Sequence, residues 1–190
     1  MTKDYSTYTE AELYAMLFGA KSEKDAAFQE IYDRTSTRIF MYCRKILGSA
    51  HTADDAFQET YALFLKSASP EKEMTNLPAF LIRIARNVCL RMRQRVQHHS
   101  EVMFNEHFFA SPTETSSMET AELSKLLTMA LDVLPDDQRE ALILQAYEDM
   151  SYQEIADLMN VPMTTVRNWI VRAKRKLREA LEQYWLDYRR

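Results

Sequence analysis

Glycine occurs only twice and proline five times in 190 residues, too few to supply the tight turns a sheet-rich chain requires. Cysteine is equally sparse. Cys43 and Cys89 both fall within helical apolar patterns, which suits buried reduced thiols and leaves no disulfide framework or paired metal motif. No apolar run reaches the roughly 18 residues a membrane span needs. The N-terminal stretch MTKDYSTYTE has no apolar core of the kind a signal peptide carries, so a cytoplasmic protein is expected. Phosphate-cradling glycine loops and nucleophile motifs are lacking as well. His98, His99 and His107 lack paired-ligand spacing and read as solvated polar residues, so neither an enzyme, a metal nor a cofactor is expected. Eleven methionines suit helical cores rather than a cofactor box.

What is abundant favours helix. Ala, Leu, Met, Glu, Gln, Lys and Arg dominate, and 46% of residues are hydrophobic, which predicts an all-α globular chain. The length suits two small helical domains joined by a flexible linker. After an amphipathic start (Glu10 to Phe18), Ser22 with Asp25 predicts a capping box opening a helix to Leu47, stopped by Gly48. Thr52 with Asp55 predicts a second box, opening a helix to about Lys66. Residues 67–75 read as a loop. Asn76 then caps a helix to about Gln97, with Pro78 in its first turn. Its periodicity puts Leu81, Ile84, Val88 and Met92 on a core face and Arg83, Arg86, Asn87, Arg93 and Gln94 broadly opposite. Residues 1–97 thus form the first domain, 98–121 a Ser, Thr, Pro and Glu-rich linker, and 122–190 the second domain. Helices are expected there at about 122–133, 136–148, 151–159 and 163–186. Asp54-Asp55 and Asp136-Asp137 fall at predicted helix starts, where dipole and capping roles suffice.

Charge is distributed in blocks. The net charge is -4, which argues against autonomous, non-specific attachment to nucleic acid. Yet residues 83–95 hold five arginines and no acid, and residues 98–124 hold five glutamates and no Lys or Arg. Met163 to Arg178 then packs six Lys or Arg without an acid. A solvated helical face would normally interleave acids three or four residues away.

SYQEIADLMNVPMTTVRNWIV fits a helix-turn-helix. Ile155, Ala156 and Met159 face inward on the first helix, and Asn160 suits a left-handed turn residue. Pro162 suits the opening of the second helix, on which Val166, Ile170, Ala173 and Leu177 face inward. Thr164, Thr165, Arg167 and Asn168 are placed to reach phosphates or base edges, and Arg172 and Lys176 to contact backbone phosphate.

The segment from Leu134 to Leu181, LPDDQREALILQAYEDMSYQEIADLMNVPMTTVRNWIVRAKRKLREAL, closely resembles the C-terminal DNA-binding domain of bacterial extracytoplasmic-function sigma factors. TADDAFQETYALFL resembles their polymerase-binding helix, and NLPAFLIRIARNVCLRMRQR their promoter-melting helix. The resemblance implies a dissociable subunit of core RNA polymerase that reads the -10 element of promoter DNA with its first domain and the -35 element with its second. It implies a base-capturing loop at 67–76 beside Arg83, Arg86 and Asn87, a polymerase surface at Asp55, Gln58 and Glu59, a linker threaded through the polymerase, and an anti-sigma partner. Asn160 stands where the family usually has Gly, Thr164 where it often has Gly, Trp169 where a basic residue is common, Phe80 where Trp is common, and Arg91 where Asp is common. A stand-alone helix-turn-helix regulator with an N-terminal sensor domain is the competing expectation; it leaves the acid-rich helix followed by a basic helix unexplained.

Overall fold

The computed structural model describes residues 5–99, 126–127 and 129–188, and every described regular element is helical. The chain divides into two compact units, 1–105 and 106–190. The predicted linker lies outside the described residues except for His98 and His99, which continue the preceding helix.

The first unit holds a short 3-10 turn (Tyr5–Thr7) and helices α1 (Glu10–Met16), α2 (Lys21–Leu47), α3 (Ala50–Ser67) and α4 (Leu77–His99). Thr9 caps α1: its hydroxyl accepts from the Glu12 N–H at 3.3 Å, while Glu12 accepts from the Thr9 N–H at 2.8 Å. Those bonds to Thr9 hold the Glu12 carboxyl below the usual carboxylate range. Gly48 ends α2 at φ 75°, as its sequence position predicted.

Neither capping box expected for α2 and α3 forms. Helix α2 starts earlier, because the Ala20 carbonyl already accepts from Glu23 and Lys24 N–H at 2.9 Å, which leaves Ser22 inside the first turn. Helix α3 starts directly after Gly48, with Ser49 as its cap; the Thr52 N–H points at the Ser49 hydroxyl from 3.5 Å and the Thr52 hydroxyl donates back to the Ser49 carbonyl at 3.3 Å. Asp54 and Asp55 therefore sit beyond the first turn rather than at the helix start.

Aromatic side chains hold α2 against α3. Tyr32, Phe57 and Tyr61 form tilted and T-shaped pairs with centroids 5.0–5.9 Å apart, and Phe28 and Phe40 extend the cluster. Within it the buried Thr35 hydroxyl lies 2.7 Å from the Tyr61 hydroxyl and 2.6 Å from the Ile31 carbonyl. Burial pushes the Tyr61 phenol up to about 12, against the opposing pull of that hydrogen bond. Helix α4 packs on both α2 and α3, so its buried face is broader than the single stripe predicted. Leu81 and Val88 are buried as expected, Ile82, Ala85 and Cys89 join them, and Ile84 and Met92 are only half-buried. Cys43 and Cys89 are buried free thiols.

In the second unit residues 126–127 and 129–132 are helical, followed by α5 (Asp136–Tyr147), α6 (Tyr152–Met159) and α7 (Met163–Tyr188). Arg139 secures the turn before α5, reaching the Leu134 carbonyl at 3.3 Å and the Asp132 carboxylate at 3.4 Å. Ile143, Leu144, Ile155, Val166, Ile170 and Ala173 are at most 1% exposed and form the core where α5, α6 and α7 meet.

Candidate nucleic-acid interface

Two devices fix the geometry between α6 and α7. Ser151 and Glu154 form a full capping box at the start of α6, and their bonds hold the Glu154 carboxyl below its ordinary range. At the other end Asn160 adopts φ 55°, ψ 51°, and both its N–H and that of Val161 donate to the Ala156 carbonyl. This left-handed cap turns the chain, and the Pro162 carbonyl accepts the first bonds of α7 from Thr165 and Val166. Ile155, Ala156 and Met159 are then buried against Val166, Ile170 and Ala173, while Leu177 is half-buried. The inward faces match those expected from the spacing.

With that face buried, the opposite surface of α7 is set. Thr164, Arg167, Asn168 and Arg172 are exposed; Thr165, Trp169 and Lys176 are half-buried. Lys174, Arg175 and Arg178 extend the cationic surface. Arg175 lies 3.8 Å from Glu179, both well exposed, whereas Arg167, Arg172, Lys174, Lys176 and Arg178 have no ion-pair partner among the described residues. Five uncompensated cations on one helix are not an intrahelical ion-pair lattice. They suit a polyanion laid along the helix.

The first unit presents a second basic surface. Arg83 and Asn87 are exposed on α4 and Arg86 is half-buried, at spacings that put all three on one face. Beside them runs the loop 68–76. Its Lys72, which sequence spacing did not single out, places Nζ 3.3 Å from the centre of the Phe80 ring. Burial there, with the Arg83 charge nearby, holds the Lys72 ammonium below the usual lysine range. Asn76 caps α4 by accepting from the Ala79 N–H at 2.9 Å. Met74 is the buried anchor of the loop, and residues 70–73 stay exposed.

Asp55, Gln58 and Glu59 share one side of α3, and the first two are exposed. Each acid has a neighbour. Asp55 lies 3.2 Å from His51, and Glu59 accepts from Arg91 of α4 at 2.6 Å. Among the described residues no cluster of His, Cys, Asp or Glu could hold a metal ion, and no helix is long and apolar enough to cross a membrane.

Comparison with known proteins agrees with this arrangement. The family description Sigma-70 region 2 matches residues 31–99, and Sigma-70, region 4 matches residues 124–177. The ECF RNA polymerase sigma factor EcfG of Rhodopseudomonas palustris is 34% identical over 133 residues, 68% of this chain and 71% of that protein. SigW of Bacillus subtilis, another ECF sigma factor, is 26% identical over 85% of this chain and 91% of its own length. Among solved structures, the sigma factor RpoE of Bartonella quintana, crystallised with the anti-sigma factor NepR, superposes with a TM-score of 0.68 at 25% identity, covering 82% of this chain and 96% of that one. The chain belongs to the sigma-70 family, among its extracytoplasmic-function members: it is a non-catalytic, promoter-specific RNA polymerase initiation factor rather than a stand-alone regulator.

Proposed function

We propose a division of labour within this initiation factor in which residues 122–190 read the -35 element as duplex and residues 1–97 capture the -10 element as it opens. Thr164, Thr165, Arg167 and Asn168 at the start of α7 reach base edges or nearby phosphates, and Arg172 and Lys176 grip the backbone further along. The cationic surface of α7 from Met163 to Arg178, which holds no acid and lies opposite the buried Val166, Ile170 and Ala173, is the observation that carries this reading. Helix α7 is long enough to lie in a major groove and still pack on α5 and α6.

Arg83, Arg86 and Asn87, together with the exposed tip of the loop, hold unstacked bases and their phosphates in the first domain. Asp55, Gln58 and Glu59 form the surface for core polymerase, and residues 98–121 serve as the acidic connection between the domains. The half-exposed Arg91 partner of Glu59 gives that surface a mixed-charge edge. A net charge of -4 disfavours stray DNA binding by the free chain. Core polymerase restores affinity by presenting both domains together, which raises their effective concentration on one promoter. The chain acts in the cytoplasm, where polymerase and promoter are. An anti-sigma protein is a further expected partner, supported by the similarity to the NepR-bound sigma factor.

Transcription by purified core polymerase on duplex promoters randomised at both elements, with and without the full chain, tests the division. Arg167→Ala should reshape the upstream preference and leave the downstream one intact. Loss of both preferences together would refute separate readers.

A further inference from the structure

The loop 68–76 is gripped at both ends by one short helix. At its start the Tyr14 hydroxyl accepts from the Ser69 N–H at 3.1 Å and faces the Ser69 carbonyl at 3.3 Å. At its end Glu10 Oε2 accepts from the Leu77 N–H at 3.2 Å, serving as a second cap of α4 beside Asn76. Glu10 and Tyr14 are four residues apart on α1 and so share a face. The segment leading into α1 is itself fastened: Arg34 of α2, oriented by Glu30 at 2.7 Å, donates to the carbonyls of Tyr5, Ser6 and Tyr8 at 2.8–3.2 Å. The Tyr14 ring packs on Phe18 and Phe64, but that packing alone would be served equally by phenylalanine. Within the Tyr14 side chain, only the hydroxyl bonds to the loop backbone.

We propose that α1 is a positioning element for downstream readout, with Tyr14 and Glu10 fixing the loop's ends so that its exposed tip presents one shape to an unstacked base. The inference rests on the reading of this loop as the base-capturing segment. A loop held at both ends loses few conformations on binding and rejects bases that do not fit its fixed shape, whereas a loosened loop adapts to more of them. Tyr14 and Glu10 thus sharpen discrimination without contacting DNA.

The test uses the full chain with core polymerase on promoters carrying each base in turn across the -10 element, with open complex as the readout. Tyr14→Phe and Glu10→Ala should each lower the preference for the favoured base by about fivefold, the worth of one net hydrogen bond. Glu10→Gln, which keeps an acceptor oxygen, should retain most of it. Upstream preference and core affinity should not move, and the Ser69 amide in Tyr14→Phe and the Leu77 amide in Glu10→Ala should exchange faster with solvent. A control with Glu71, Lys72 and Glu73 all changed to Ala separates the two levels. If the control alters downstream preference and both α1 variants do not, the positioning role is overturned and the loop reading stands. If the control leaves preference unchanged, the loop reading fails and this inference with it. Equal loss on every base in the α1 variants also overturns it, because that is damage to folding rather than to discrimination.

Discussion

Asn160 offers a quantitative test of the helix-turn-helix geometry. Its side chain is exposed, so a substitution there removes no packing, and its φ of 55° makes the backbone the whole of the effect. A residue with a Cβ pays about 1–2 kcal/mol in the left-handed region, and Asn is among the few that tolerate it. Asn160→Ala should therefore cost about 1 kcal/mol, and Asn160→Val about twice that, because branching at Cβ adds to the clash. Asn160→Gly relieves the strain but frees the unfolded chain by a comparable amount, leaving stability within about 0.5 kcal/mol of the parent. For a unit of this size 1 kcal/mol moves the melting temperature by about 4–8 °C. The assay is built into the sequence: both tryptophans, Trp169 and Trp185, lie in the second unit, so tryptophan fluorescence follows its unfolding within the full chain. The expected order of melting temperatures is Gly close to Asn, then Ala, then Val, with upstream promoter preference unchanged well below the transition. Gly as damaging as Val, or Val as stable as Asn, would refute the claim that a left-handed turn sets the angle between α6 and α7.

Three further outcomes are expected, one from the proposed grip on phosphate and two from hydrogen bonds within the fold. Lys176→Ala should weaken promoter binding nearly uniformly across sequences and lower the slope of log affinity against log salt by about 0.9, the signature of one lost phosphate contact; an altered sequence preference would argue against it. Glu154, with its folded pKa below the ordinary value of 4.5, supports the α6 cap above that pH and loses this contribution as pH falls through the folded value. Glu154→Gln should accordingly be less stable than the parent at neutral pH yet show a flatter decline on acidification, checked by fluorescence melts across the acid range. Tyr61→Phe removes the partner of a buried hydroxyl, and first-unit stability followed by urea denaturation should fall by about 0.5–1.5 kcal/mol, with the larger loss expected only if Thr35 finds no other donor.

Much of the architecture was legible because helical periodicity and chain-ending residues act locally. Gly48, Asn76 and Asn160 each occupy the cap their chemistry predicts, and Ile155, Ala156, Met159, Val166 and Ile170 are buried as their spacing implies. Capping was less legible where two candidates compete a few residues apart. Ser49 rather than Thr52 caps α3, because Gly48 lets the new helix begin at once, and Ala20 rather than Ser22 opens α2, its carbonyl already accepting from the Glu23 and Lys24 N–H. The Thr9 and Glu12 pair and the Ser151 and Glu154 pair carry the recognisable four-residue signature and could have been read. The cationic strip was visible because charge is a property of the sequence. Contacts between residues distant in the chain were not: Tyr14 meets Ser69, Arg34 holds the turn from Tyr5 to Tyr8, and Arg91 engages Glu59 only once the helices have packed. Lys72 over Phe80 was missed for a related reason, since a loop's path sets which ring its lysine covers.

Strand opening at a promoter by core polymerase, followed by the reactivity of unpaired thymines with and without the full chain, bears most directly on the central claim. Opening that requires core and chain together, and that disappears when either promoter element is scrambled, is the predicted result. A chain that binds duplex promoter tightly by itself, or that joins core polymerase without any strand separation, would contradict it.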